Sequence, residues 1–134
     1  MPDNLSPPAR RTYEDGSAFA ATASYSRAVR AGGFVAVSGT APIGPDGPLY
    51  AGDLYAQTRF VLEKALAAAE ALGARKEDVL RTRLLLAPGS RWEDAVRAHA
   101  EVFADVRPAN TTCFVGGFIP DVLVEVELDA VVAD

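Results

Sequence analysis

The sequence predicts a single α/β domain in which two helices cover one face of a mixed sheet. Three observations carry that expectation. Val79 to Leu86 and Leu123 to Ala130 alternate apolar and polar residues with a period of two, as half-buried strands do. The stretch after Asp53 repeats apolar residues at helical spacing instead. The segments follow one another as strand, helix, strand, helix, strand. A chain of 134 residues has the length of one domain, and its 49% hydrophobic content is enough to build a core.

Each element has its own local signal. Met1 to about Ser17 contains Pro7-Pro8 and Asp15-Gly16 and reads as a flexible N-terminal arm, leaving residues 18–134 as the folded domain. Phe34-Val35-Ala36-Val37-Ser38, entered through Gly32-Gly33 and ended by Gly39, reads as a buried strand. Pro42 to Gly52 is dense in Pro and Gly and reads as a loop. Asp53 is placed to cap a helix running to Leu72. Leu54, Thr58, Val61, Leu62, Ala65, Leu66 and Ala69 lie along one face of that helix, and Gly73 ends it. In Ser90-Arg91-Trp92-Glu93 the spacing predicts a capping box that starts a second helix with an inner stripe of Trp92, Ala95, Val96, His99, Val102 and Phe103. Arg107-Pro108 should stop that helix near Val106.

The alternation also places Arg81, Arg83, Glu125, Glu127 and Asp129 on the second face of the sheet. Unpaired charges buried there would be costly, so this face is either open to solvent or closed against other subunits with its charges paired.

Composition narrows the function classes. No uninterrupted apolar run approaches the roughly 18 residues needed to span a bilayer, and Met1 to Arg11 has no apolar leader core. A soluble, cytoplasmic protein is expected. A net charge of −5 with scattered basic residues disfavours nucleic acid as a partner. One Cys and one His offer no zinc spacing, so neither metal nor cofactor is expected. Cys113 reads as a small buried residue without a nearby base.

Four motifs, in order, resemble the RidA family of enamine and imine deaminases, also called the YjgF family. Tyr25-Ser26-Arg27-Ala28-Val29 is similar to its Tyr-Ser-Gln-Ala-Val, and Val37-Ser38-Gly39-Thr40 to its Val-Ser-Gly-Gln. Asp78-Val79-Leu80-Arg81-Thr82 is similar to Asp-Val-Val-Lys-Thr. Arg107-Pro108-Ala109-Asn110-Thr111-Thr112 resembles the Pro-Ala-Arg-Ser/Thr end, with Glu125 following Asn110 by fifteen positions. The resemblance implies a chorismate-mutase-like fold and a homotrimer whose sheets form an inner barrel, with a small-molecule pocket at each subunit interface.

Carried over residue by residue, the resemblance implies that Glu125 handles the attacking water while Tyr25, Ser38, Gly39 and Thr112 line the pocket. Asn110 departs from the pattern, because the family carries there the Arg that clamps the substrate carboxylate. Losing a hydrogen bond to a charged group, worth roughly 1.5 to 3 kcal/mol, weakens binding about ten- to a hundredfold. Arg97, Arg107 or His99 could supply a replacement group. Phe114-Val115-Gly116-Gly117-Phe118 also departs from the pattern and adds apolar wall, its glycines either a bulge or a place for close backbone approach. The expected activity is hydrolysis of an imine, enamine or related electrophile without the usual carboxylate clamp. The alternatives are a noncatalytic ligand-binding or protein-stabilising trimer, or a dedicated step in a specialised biosynthetic pathway.

Overall fold

Alternation along the sequence becomes alternation in burial. The computed structural model describes residues 9–133. Its strands are β1 (Arg10–Tyr13), β2 (Ala28–Ala31), β3 (Phe34–Thr40), β4 (Ile43–Gly44), β5 (Gly47–Pro48), β6 (Val79–Leu86), β7 (Ala109–Phe114) and β8 (Val124–Val131). Its helices are α1 (Ala18–Ala23), α2 (Leu54–Ala71) and α3 (Trp92–Phe103). One mixed sheet runs in the order β1-β2-β3-β8-β6-β7. All its neighbours are antiparallel except β6 and β7, which are parallel. The remaining pair, β4 and β5, is a small hairpin within the segment expected to be a loop.

On β8, Val124, Val126, Leu128 and Ala130 are buried while Glu125, Glu127 and Asp129 are partly exposed. Val61, Leu62, Ala65 and Ala69 of α2 pack with these residues and with Val35, Val37, Leu84 and Leu86 into one core. Each fully buried Val or Leu contributes about 1.5 to 3 kcal/mol, and the alanines let the helix lie close to the sheet. The start and stop of α2 are as the sequence indicates. Asp53 accepts a hydrogen bond from the Ala56 amide at 3.0 Å, and Gly73 follows the last turn with φ +95°. On the other face Arg83 pairs with Asp129 at 3.2 Å and Glu127 at 3.5 Å, so the expected charged face exists and three of its five charges pair with one another.

Several expectations are corrected. Arg10–Tyr13, within the segment assigned to the arm, forms an edge strand against β2, and Ser17 caps the additional short helix α1. Residues 1–8 of that arm lie outside the described residues. The capping box at α3 does not form. The Ser90 hydroxyl donates to the Ala87 carbonyl at 2.7 Å, which stabilises the preceding turn and leaves Arg91 at the N-cap without a side-chain bond. The buried face of α3 is Ala95, Ala98 and Phe103, while Trp92 and Val96 are 48% and 39% exposed. The helix ends at Phe103 rather than near Val106. Cys113 is exposed, because β7 is an edge strand. Gly116 and Gly117 lie in the irregular connection after β7 rather than in a strand bulge.

One glycine fixes the chain path toward the site. The two-residue turn Gly32-Gly33 joins β2 to β3, and a Cβ on Gly33 would lie 2.6 Å from the Val132 carbonyl oxygen. No larger residue fits between that hairpin and the end of β8 without backbone movement.

Candidate functional site

The sequence-predicted residues fall into two groups on opposite faces of the sheet. The first group forms around an irregularity in β3. Val37 pairs with Leu128 and Thr40 with Val126, so three steps on β3 oppose two on β8 and the extra residue makes a bulge at Ser38-Gly39. A Cβ on Gly39 would lie 2.9 Å from Oε1 of Glu125. The missing side chain therefore leaves the place that the carboxylate occupies.

Glu125 is half-buried, and its carboxyl pKa is raised above the ordinary value. Burial, which penalises the charged form, is the main cause; Arg27 acts against it and Glu127 adds to it. A carboxyl shifted toward neutral conditions can both accept and return a proton. Ser38 sits beside it with its hydroxyl donating to the Ser26 carbonyl at 2.7 Å, leaving the oxygen lone pairs as acceptors. Tyr25 follows Ser24, whose left-handed backbone (φ +63°) ends α1.

Sequence reasoning missed Arg27. It is only 6% exposed, and it donates to the Gly39 carbonyl at 2.6 Å, the Ser38 carbonyl at 3.4 Å and Thr40 Oγ1 at 3.0 Å. It also donates to the Tyr25 hydroxyl at 3.3 Å, and its Nε lies 3.6 Å from Asp15 Oδ2. The signal was present, since Arg27 is the one unmatched residue in an otherwise matched five-residue motif.

The second group lies on the helix-facing side of the edge strand β7. Asn110 pairs with Thr82 across the parallel β6–β7 ladder, and their side chains meet. Thr112 donates its hydroxyl to Asn110 Oδ1 at 2.8 Å, Asn110 Nδ2 donates to Thr82 Oγ1 at 3.0 Å, and that hydroxyl lies 2.7 Å from Nε2 of His99. The chain is satisfied when Thr82 donates to an unprotonated Nε2. Burial lowers the His99 pKa and favours that neutral ring. The network opens onto a cleft of about 430 Å³ lined by Leu86, Trp92, Val96, Thr112 and Phe114. Phe118 is not among its lining residues.

Glu125 and Asn110 are therefore not brought together within one chain. Asn110 shares a face with Thr82 and α3, whereas Glu125 pairs across from Leu85 and shares the opposite face with Arg83 and Glu127. Arg97 does not reach the cleft either. It lies over the Tyr55 ring at 4.0 Å from the centroid and pairs with Asp94 at 3.6 Å on the outer side of α3. Arg107 is exposed in the turn that leads into β7, with φ +54°.

A family model described as endoribonuclease L-PSP matches residues 15–132, which include both groups. The chain belongs to this family. An uncharacterized protein of Streptomyces coelicolor, SCO2049, is 43% identical over 122 residues, covering 90% of each chain. The RutC family protein PH0854 of Pyrococcus horikoshii is 36% identical over 104 residues, covering 77% of this chain and 82% of its own. Among solved structures, Rv2704 of Mycobacterium tuberculosis, a member of the YjgF/YER057c/UK114 family, superposes with a TM-score of 0.83 at 38% identity. That alignment covers 92% of this chain and all of the other. The mixed sheet and its helices are thus the YjgF-type fold that the motifs implied. Among the described residues no helix is long and apolar enough to cross a membrane.

Proposed function

We propose that the protein hydrolyses a small imine or enamine that lacks a carboxylate, in a pocket formed where the Glu125 group of one copy meets the Asn110 cleft of another within a homotrimer. The observation that carries this reading is the Glu125 carboxyl, half-buried and raised toward neutrality beside a bulge whose Gly39 leaves it room. An enamine first takes a proton on carbon and loses one from nitrogen to become the imine; water then adds to the C=N carbon as Glu125 accepts its proton and returns it to nitrogen. The resulting carbinolamine collapses to a carbonyl compound and ammonia or amine. The placement of the two groups on opposite faces supports assembly, since only a second copy can complete the pocket.

Across the pocket, Asn110 and Thr112 orient the substrate through neutral hydrogen bonds, while Trp92, Val96 and Phe114 favour an apolar substituent. RNA is a poor fit, because the chain carries a net charge of −5 and the arginine Arg83 on the Glu125 face is already paired with Glu127 and Asp129.

The test pairs sedimentation with turnover. The chain should sediment at three times its own mass. Imines or enamines with an apolar substituent and no carboxylate should be hydrolysed faster than imines of small amino acids. A stable monomer, or a trimer that turns over neither class, overturns this reading. The Asn110 amide already has hydrogen-bond partners within its own chain, and that observation favours one second reading, a trimer that binds a neutral ligand without reaction. It predicts ligand-dependent thermal stabilisation without turnover.

A further inference from the structure

The site just described uses Glu125, but the buried cation next to it remains without a role. Arg27 is the only buried charged side chain among the described residues, and its position is set by the bulge itself. One of its terminal nitrogens donates to the carbonyls of both bulge residues, Ser38 and Gly39, and to the Thr40 hydroxyl, while the other reaches Tyr25. Gly39 is also the residue against which the Glu125 carboxylate packs. Guanidinium and carboxylate therefore meet at the same glycine, one holding its carbonyl and the other filling the space its missing side chain leaves.

We infer that Arg27 is the positioning residue of the Glu125 site: it fixes the Ser38-Gly39 bulge against which the carboxylate rests and holds a permanent positive charge beside it. Burial favours the neutral carboxyl, and the charge of Arg27 opposes that tendency. The guanidinium suits this task because it cannot lose its proton, and its planar fork serves several acceptors at once.

The other charged groups around it are accounted for. Asp15 faces Arg27 from the loop before α1, and Lys64 of α2 lies 3.9 Å from the same Asp15 oxygen. Glu127 lies on the same strand as Glu125 and is paired with Arg83 of β6. Tyr25 faces Arg27 from the segment before β2, and Cys113 on β7 pairs across from Leu85, which in turn pairs across from Glu125. Arg27 is the only cation among these that pulls the Glu125 pKa down.

The role in catalysis rests on the reading of Glu125 as the proton-transfer group, but the positioning itself is tested without any substrate. The ¹³C resonance of the Glu125 carboxyl, assigned by its absence in Glu125→Gln, is followed against pH in the wild type, Arg27→Gln and Arg27→Lys. The midpoint should rise by at least about 0.5 pH unit in Arg27→Gln and stay closer to the wild type in Arg27→Lys. A folded Arg27→Gln variant with an unchanged midpoint overturns the inference. A second measurement needs no Arg27 variant. In the wild type the Arg27 Nε–H resonance should titrate with the Glu125 midpoint, and the response should vanish in Glu125→Gln. An Arg27 signal indifferent to that titration also overturns the inference. Coupled titrations in a protein that hydrolyses no imine would sustain the positioning and reject only the proposed reaction.

Discussion

The two halves of the site are built by opposite means. Around Glu125 the chain supplies a buried arginine, a strand bulge and a glycine cut to fit, all tied together within one subunit. Around Asn110 it supplies an uncharged relay from Thr112 to His99 on an exposed edge strand, opening onto an apolar cleft. On the proposed function the first half carries the chemistry and the second the recognition. A misplaced proton acceptor is costly, which fits a half built in advance within one chain, while a recognition wall can be completed by whatever packs against it.

The largest effect should come from removing the carboxylate. Glu125→Gln is expected to lower turnover by about 10²- to 10⁴-fold. Thermal stability at neutral pH should not fall, because the variant removes a charge that burial disfavours. A variant that loses stability and activity together would make Glu125 structural and dissolve the contrast between the halves.

Converting the recognition half should come next. Asn110→Arg is expected to raise turnover of carboxylate-bearing imines about ten- to a hundredfold, and Glu125→Ala in that background should abolish the gain. A folded, trimeric Asn110→Arg protein without the gain would mean the cleft serves a different ligand class, with Trp92 and Phe114 the better guides to it. Gly39→Ala probes the first half more gently. The added methyl group meets a flexible carboxylate rather than backbone, so turnover should drop roughly tenfold while stability changes by less than about 1 kcal/mol. Stopped-flow kinetics beside thermal unfolding would separate the two.

The smallest effects distinguish the halves by their response to pH. Folding raises the pKa of Glu125, so its contribution to stability is present below its ordinary value of 4.5 and is lost as pH rises through the folded value. Folding lowers the pKa of His99, so its contribution is present above 6.5 and is lost as pH falls toward the folded value. Urea unfolding across pH 4 to 8 should show Glu125→Gln and His99→Gln altering the slope in opposite directions. Thr82→Val should cost about 1 to 3 kcal/mol, since it leaves buried polar partners unpaired, and it should change ligand affinity at the cleft without moving the Glu125 midpoint.

The parts legible in the sequence are those where pattern and burial coincide. β3, β6, β8 and α2 each carry a periodic apolar face that ends up in the core, and the motif order identified the fold. β1 and β7 were not read as strands because they are edge strands, with no alternation for burial to impose. The Ser90 cap was misread because the same hydroxyl could serve a preceding turn, and only tertiary placement decided between them. Trp92 and Val96 fit a helical stripe, yet both are exposed and line the cleft instead of entering the core. In the candidate site the motifs named Glu125 and Asn110 as one group, and their placement on opposite faces came only from the strand registers, because Asn110 lies on an edge strand whose burial does not alternate.

The position of β8 has a consequence for how this fold closes. The strand that emerges last among the described elements sits in the middle of the sheet, between β3 and β6, and pairs with residues some ninety positions upstream. Until β8 pairs, no strand joins β3 to β6, and closing the sheet requires contacts of high sequence separation. Glu125 rides on that same strand. The proposed site is therefore assembled only in the step that closes the core.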